Sequence, residues 1–286
     1  VTAPAPRPLQ PRPPQKQRRH QRLGPAKGIA GTVAAASLLV PAELVLKTLS
    51  GGRKSHLPWL FHRSLSRALG IRIVTHGTPA RRGGSRGGTG GGTRSGGVLF
   101  ISNHVSWADI PVLGARIPAA FVAKSEVGGW GLVGWLATLA RTVYVERSRR
   151  GRAGEQRDAI ADRLAAGDSI ILFPEGTNSD GTQVLPFKSS LFAVTDIVPD
   201  VVIQPVTIAY TRVNGMPVTR ARLPDLAWVG DTELMPHAVD FMGLGRVRAE
   251  IRFHPPVRAA DFADRKALAR HCHSVISDSY HAFMRG

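Results

Sequence analysis

Cysteine is nearly missing from this chain: Cys272 is the single one among 286 residues. One cysteine excludes an intramolecular disulfide and a multi-cysteine zinc site, and it fits a reducing compartment. Acidic residues are scarce at one end. Residues 1–102 hold 17 of the 38 Lys and Arg but one acid, Glu43, a local charge of +16. The other 184 residues hold 21 bases and 19 acids, so the overall +18 belongs to the N-terminal third. Such an arm seeks a polyanion, either nucleic acid or the anionic face of a membrane. Helix-turn-helix, zinc-finger and aromatic RNA-binding signatures are all lacking, which disfavours nucleic acid as the partner. Long apolar runs are lacking too. The uncharged part of 28–50 ends at Ala42, about 15 residues against the roughly 20 of a simple membrane span, and Pro41 and Glu43 interrupt it. What is present is a 43% hydrophobic content, enough to build a sizeable core and to exclude wholesale disorder.

Composition divides the chain. Residues 1–27 are rich in Pro, Arg and Gln without apolar period, and read as a disordered basic arm. Residues 28–70 read as a helical, membrane-associating segment. Within it, Leu57, Leu60, Phe61, Leu65, Ala68 and Leu69 fall near one helical face, with Arg63 and Arg67 elsewhere. That pattern fits a basic amphipathic helix on a membrane surface or an ordinary helix packed on the core. A basic region before an apolar one also fits a signal peptide, although no clear cleavage site follows. Residues 81–97 place nine glycines in seventeen positions and read as a disordered loop. It is no phosphate-binding P-loop, because no Lys-Ser/Thr pair follows it into a helix.

The rest of 71–286 is regular. Strand-like apolar runs lie at 71–77, 98–102, 119–123, 142–146, 169–173, 201–210 and 247–253, with helix-like stretches at 126–140, 153–166 and from about 261. Short buried strands alternating with helices predict an α/β fold, a mostly parallel central sheet of about seven strands flanked by helices.

Two clusters carry chemistry, each directly after a strand. The first is Asn103-His104-Val105-Ser106-Trp107-Ala108-Asp109. His and Asp five apart on a continuous helix would sit roughly 140° apart and could not meet. That disposes of the other such pair, His273 and Asp278, which falls inside the closing helix. At 104/109 the His can occupy a turn while Asp109 opens a helix. The carboxylate then reaches an imidazole nitrogen, sets its tautomer and leaves the other nitrogen free to take a proton. The plainer reading is a helix-start acid beside a polar turn residue. The second cluster is Phe173-Pro174-Glu175-Gly176-Thr177, at the sheet edge where open α/β folds bind ligands. There Glu175 can bond a polyol and Gly176 lets the backbone approach closely, while a plain turn explains the same residues.

The order His104-x4-Asp109, Arg147 after a strand, FPEGT at 173–177 and Pro205 within VVIQPVTI resembles the glycerolipid acyltransferase family, specifically the bacterial 1-acyl-sn-glycerol-3-phosphate acyltransferases. The resemblance spans roughly residues 56–255. It implies transfer of a fatty acyl group from acyl-carrier protein or acyl-CoA to the sn-2 hydroxyl of 1-acyl-glycerol-3-phosphate. His104 would be the general base and Asp109 its partner, with no cofactor, no metal and no acyl-enzyme. Acceptor binding would fall to Arg147, Glu175, Gly176 and Thr177, with Lys124 and Lys188 as further basic candidates. It also implies an anionic membrane as partner, no nucleic acid, and a place at the cytoplasmic face of the inner membrane. After FPEGT, however, the chain reads NSDGTQVLPFKSSLF, where many family members carry a second basic residue. A related branch acylates lyso-ornithine lipid, whose headgroup is zwitterionic, and the same mechanism serves that acceptor. A non-catalytic basic binding protein is the distant alternative.

Overall fold

The structure, a computed structural model, describes residues 57–81, 96–129, 142–145 and 153–286 apart from 199 and 231, together with parts of 26–41 and residues 131 and 134. The basic arm up to residue 25, most of the Gly-rich segment, most of the expected helix at 126–140, and Arg147 lie outside these residues.

The apolar runs become a nine-stranded sheet: β1 (Ile71–His76), β2 (Val98–Ser102), β3 (Ala120–Lys124), β4 (Val143–Val145), β5 (Ile170–Leu172), β6 (Val202–Val213), β7 (Met216–Pro217), β8 (Val247–Phe253) and β9 (Val257–Arg258). Seven of them run in the order β1-β8-β6-β2-β5-β3-β4, and the two-residue strands β7 and β9 pair with β6. Along that path every neighbouring pair is parallel except β6–β8. Among the described residues the continuous α-helices are α1 (Leu57–Ala68), α2 (Asp109–Gly114), α3 (Ala153–Ala165), α4 (Leu234–Gly243) and α5 (Arg265–Arg285), with further helical residues within 26–41.

The central strand β2 is buried at all five positions, as a strand covered on both faces must be, and it lies between β5 and β6. The closing helix α5 begins at Asp264, whose carboxylate accepts the Ala267 N–H at 2.7 Å. Leu268, Cys272, Ile276 and Tyr280, four apart, form its buried stripe.

Helix α1 buries its polar side more deeply than its apolar stripe. Of the six apolar positions read as one stripe, only Leu69 is buried, and Leu60 is exposed. The buried side belongs instead to His62 and Ser66. His62 lies against Gly114 of α2, where an added Cβ would come within 2.5 Å of its ring, and edge-on to Phe121 at 5.9 Å. Burial pushes the His62 imidazole down to about 4. The helical stretch within 26–41 approaches Ala68 through Gly31 and Gly28.

Candidate active site

The site lies where β2 and β5 end, at the carboxyl edge of a parallel sheet whose chain leaves the two strands in different directions. Past the end of β2, the Asn103 amide continues the ladder by itself. Its Nδ2 donates to the Ile208 carbonyl and its Oδ1 accepts the Ile208 N–H, both at 2.9 Å. That pair clamps the turn to β6 and delivers His104 above the sheet.

His104 Nδ1 lies 2.7 Å from Asp109 Oδ2. Asp109 is fully buried at the start of α2, as the turn-then-helix reading requires. Its Oδ2 also accepts the N–H groups of Val105 at 2.7 Å and Ser106 at 2.9 Å. Its Oδ1 accepts the Tyr210 hydroxyl at 2.7 Å. Burial, with the Asp109 charge adding to it, holds the Tyr210 phenol well above its ordinary range, so it stays a donor. An aspartate that only accepts fixes the proton on His104 Nδ1, which leaves Nε2 with the lone pair. The imidazole is stacked on Phe173 at 4.1 Å between centroids, which fixes the ring plane, and its side chain keeps 16% exposure.

Glu175 holds this arrangement from the second strand. It is 2% exposed, and its two oxygens accept the His104 N–H at 2.7 Å and the Leu185 N–H at 2.8 Å. Burial raises its carboxyl to about 8, the two amides working against that shift and Asp109 with it. Ser179 completes the tie by donating its N–H to the His104 carbonyl at 2.8 Å. The motif's acid is thus committed to backbone on both oxygens, and the open side of the loop belongs to its neighbours. Gly176 takes φ +73° and Thr177 is exposed.

The basic candidates are placed unevenly. Lys188 is exposed and its N–H bonds the Pro174 carbonyl at 2.9 Å, which sets it beside the second motif. Lys124 ends β3 opposite Val145 of β4; its side chain lies outside what the structure describes. Arg147 follows two residues beyond β4, also outside the described residues. Among the described residues, no group of three or more His, Cys, Asp or Glu could hold a metal ion. Cys272 is buried and distant in sequence from both motifs, and burial pushes its thiol up to about 12.

Sequence spacing did not reveal the parts played by Asn103, Phe173, Ser179 and Tyr210. Tyr210 lies 101 residues from Asp109, and only the pairing of β6 with β2 brings them together. Its one local signal is a phenol ending an otherwise apolar run.

A buried carboxylate beside an oriented imidazole at a sheet edge is an arrangement that can accept a proton. Comparison with known proteins gives the class. The Acyltransferase family model matches residues 72–209. A lyso-ornithine lipid O-acyltransferase from Brucella abortus is 44% identical over 248 residues, 85% of this chain and 88% of the relative. A protein of the same description from Rhizobium meliloti is 36% identical over 83% of this chain and 79% of its own length. A 1-acyl-sn-glycerol-3-phosphate acyltransferase from Neisseria gonorrhoeae is 38% identical over 96 residues, 34% of this chain. The crystal structure of the 1-acyl-sn-glycerophosphate acyltransferase from Thermotoga maritima superposes with a TM-score of 0.62, covering 91% of this chain and 94% of that one, at 19% identity. The chain belongs to the glycerolipid acyltransferase family and is an enzyme, an acyltransferase with that family's α/β fold.

Proposed function

We propose that this enzyme transfers a fatty acyl group from an acyl thioester to the free hydroxyl of a lysolipid, with lyso-ornithine lipid as the acceptor in preference to 1-acyl-glycerol-3-phosphate. The observation that carries the chemistry is the His104–Asp109 contact at 2.7 Å with Nε2 left as the proton acceptor. In this reading Nε2 takes the hydroxyl proton as the oxygen attacks the thioester carbonyl. The tetrahedral intermediate collapses with cleavage of the C–S bond, and the imidazolium returns the proton to the departing thiolate. An ester and a free thiol result, without an acyl-enzyme. Asp109 stabilises the imidazolium, and the donor is acyl-carrier protein or coenzyme A thioester.

Two observations favour the ornithine acceptor. The relatives that match across most of both chains are described as lyso-ornithine lipid O-acyltransferases. The loop from 176 to 183 also holds no Lys or Arg; its one charge is Asp180. A phosphate headgroup calls for a cation there, and a headgroup with its own ammonium does not. Arg147, Lys124 and Lys188 remain the candidates for any anionic part of acceptor or donor. We place the enzyme at the cytoplasmic face of the inner membrane, since a two-tailed product stays in the bilayer and residues 1–102 carry +16. No described helix is long and apolar enough to cross a membrane.

The test is transfer from a labelled acyl thioester to lyso-ornithine lipid and, in parallel, to lysophosphatidic acid, with wild type and His104→Ala. His104-dependent transfer to the first acceptor is expected, with a loss of about 10²–10⁴ in the variant. Transfer to lysophosphatidic acid alone would refute the acceptor, and full activity of His104→Ala would refute the base.

A further inference from the structure

Helix α4 is apolar on both sides. Its inner face is packed on the catalytic turn. Phe241 is fully buried, edge-on to Trp107 at 5.5 Å and to Tyr210 at 6.3 Å. The Trp107 indole N–H donates to His237 Nδ1 at 3.0 Å, and His237 Nε2 bonds the Ala227 carbonyl at 3.0 Å. Trp107 lies between His104 and Asp109, so α4 grips the turn that holds the dyad. The outer face carries Met235 at 66% exposure and Val239 at 38%. A helix with apolar residues on two opposite sides normally has a partner on each, and the outer side has none among the described residues.

Two features indicate what covers it. At Met242, α4 meets Gly28 of the N-terminal helical stretch, where an added Cβ would come within 2.6 Å of the Met242 sulfur. The outward side of that stretch carries Ile29, Val33 and Leu38 at 47%, 58% and 73% exposure, and none of its described exposed residues is charged. Met242 is seven residues beyond Met235 and three beyond Val239, so it shares their side of the helix and that side borders the stretch. The exposed acids Glu233 and Asp240 lie off this ridge. An uncharged apolar ridge suits the acyl region just below lipid headgroups.

We propose that the outer face of α4 inserts into the bilayer surface together with the 26–41 stretch, so that the turn bearing His104 and Asp109 is fastened to the membrane through Trp107, His237 and Phe241. This rests on the reading of the substrate as a lysolipid held in a bilayer. The N-terminal cations supply long-range attraction and α4 supplies apolar insertion beside the site. The lysolipid hydroxyl then meets Nε2 without leaving the interface.

The test uses the 286-residue chain carrying Cys272→Ala and Val239→Cys, labelled at residue 239 with a polarity-sensitive fluorophore. Vesicles of phosphatidylcholine and phosphatidylglycerol, with bromine on the acyl chains, should shift its emission to the blue and quench it. An aqueous spectrum from protein that sediments with the vesicles would overturn the proposal. So would a blue shift appearing without lipid together with dimerisation, which would assign the face to a second copy. In parallel, Met235→Glu/Val239→Glu should lose at least tenfold of the transfer to lysolipid embedded in vesicles. It should stay within twofold of wild type on a short-chain lysolipid dispersed in water. Equal loss in both assays, or no loss in either, would overturn the coupling. Absence of wild-type transfer to any lysolipid would remove the acyltransferase substrate reading while leaving the quenching result to stand or fall by itself.

Discussion

Tyr210 offers the sharpest perturbation of the dyad. Its hydroxyl is the one donor to Asp109 Oδ1, at 2.7 Å, while Oδ2 is shared by the His104 imidazole and two backbone amides. Tyr210→Phe removes that oxygen and keeps the ring that packs on Phe241. A hydrogen bond to a charged group contributes about 1.5–3 kcal/mol, and each 1.36 kcal/mol is a factor of ten in rate. If the bond keeps Asp109 aimed at Nδ1, kcat should fall about 10- to 100-fold with KM changed little. The assay is steady-state acyl transfer from a chromogenic thioester, with circular dichroism confirming the fold. Wild-type kcat in a folded variant would show that Tyr210 is only a packing residue and that the aim of Asp109 is set by the backbone.

Further outcomes follow from the same geometry. Glu175, pushed up to about 8 by burial, ionises in the unfolded chain near its ordinary value and later in the folded one. Its contribution to stability is therefore fully present below about pH 4.5 and is lost as pH rises through about 8. Glu175→Gln should flatten that segment of the stability curve in urea titrations, and an unchanged slope would assign it to other groups. Asn103→Ala removes both bonds to the Ile208 backbone and leaves a buried N–H and C=O unpaired. A loss of about 2–4 kcal/mol is expected by chemical denaturation, and a loss below 0.5 kcal/mol would contradict the clamp. Cys272, with its thiol at about 12, should resist iodoacetamide in the native enzyme. Stoichiometric native-state alkylation with loss of activity would refute the exclusion of a thiol nucleophile.

Legibility varied with how local the cause was. The run VLFIS was bounded correctly at both ends, at 98–102, because a strand buried on both faces needs an unbroken apolar stretch. The run at 201–210 extends to Val213 in the structure, because its pairing with β8 and β7 carries the ladder across the polar Thr211 and Arg212. The stripe of α1 left its neighbour open, because amphipathic spacing says which face is apolar and not what covers it. The sheet side took His62 and Ser66, and the 26–41 stretch lies along Ala68.

By itself the sequence determined the α/β class, the strands that end in the two motifs, and the family, because strand runs and motif spacing are short-range patterns. The pairing of His104 with Asp109 was likewise readable, since a turn followed by a helix start closes five residues into contact. The tertiary structure alone decided that Glu175 serves the backbone of His104 and Leu185, that Tyr210 completes the shell of Asp109, and that α4 packs on the turn between His104 and Asp109. The first two join segments brought together by β2 pairing with β5 on one side and β6 on the other. Sheet order is set by how the whole chain buries its apolar strands, and no local spacing encodes it.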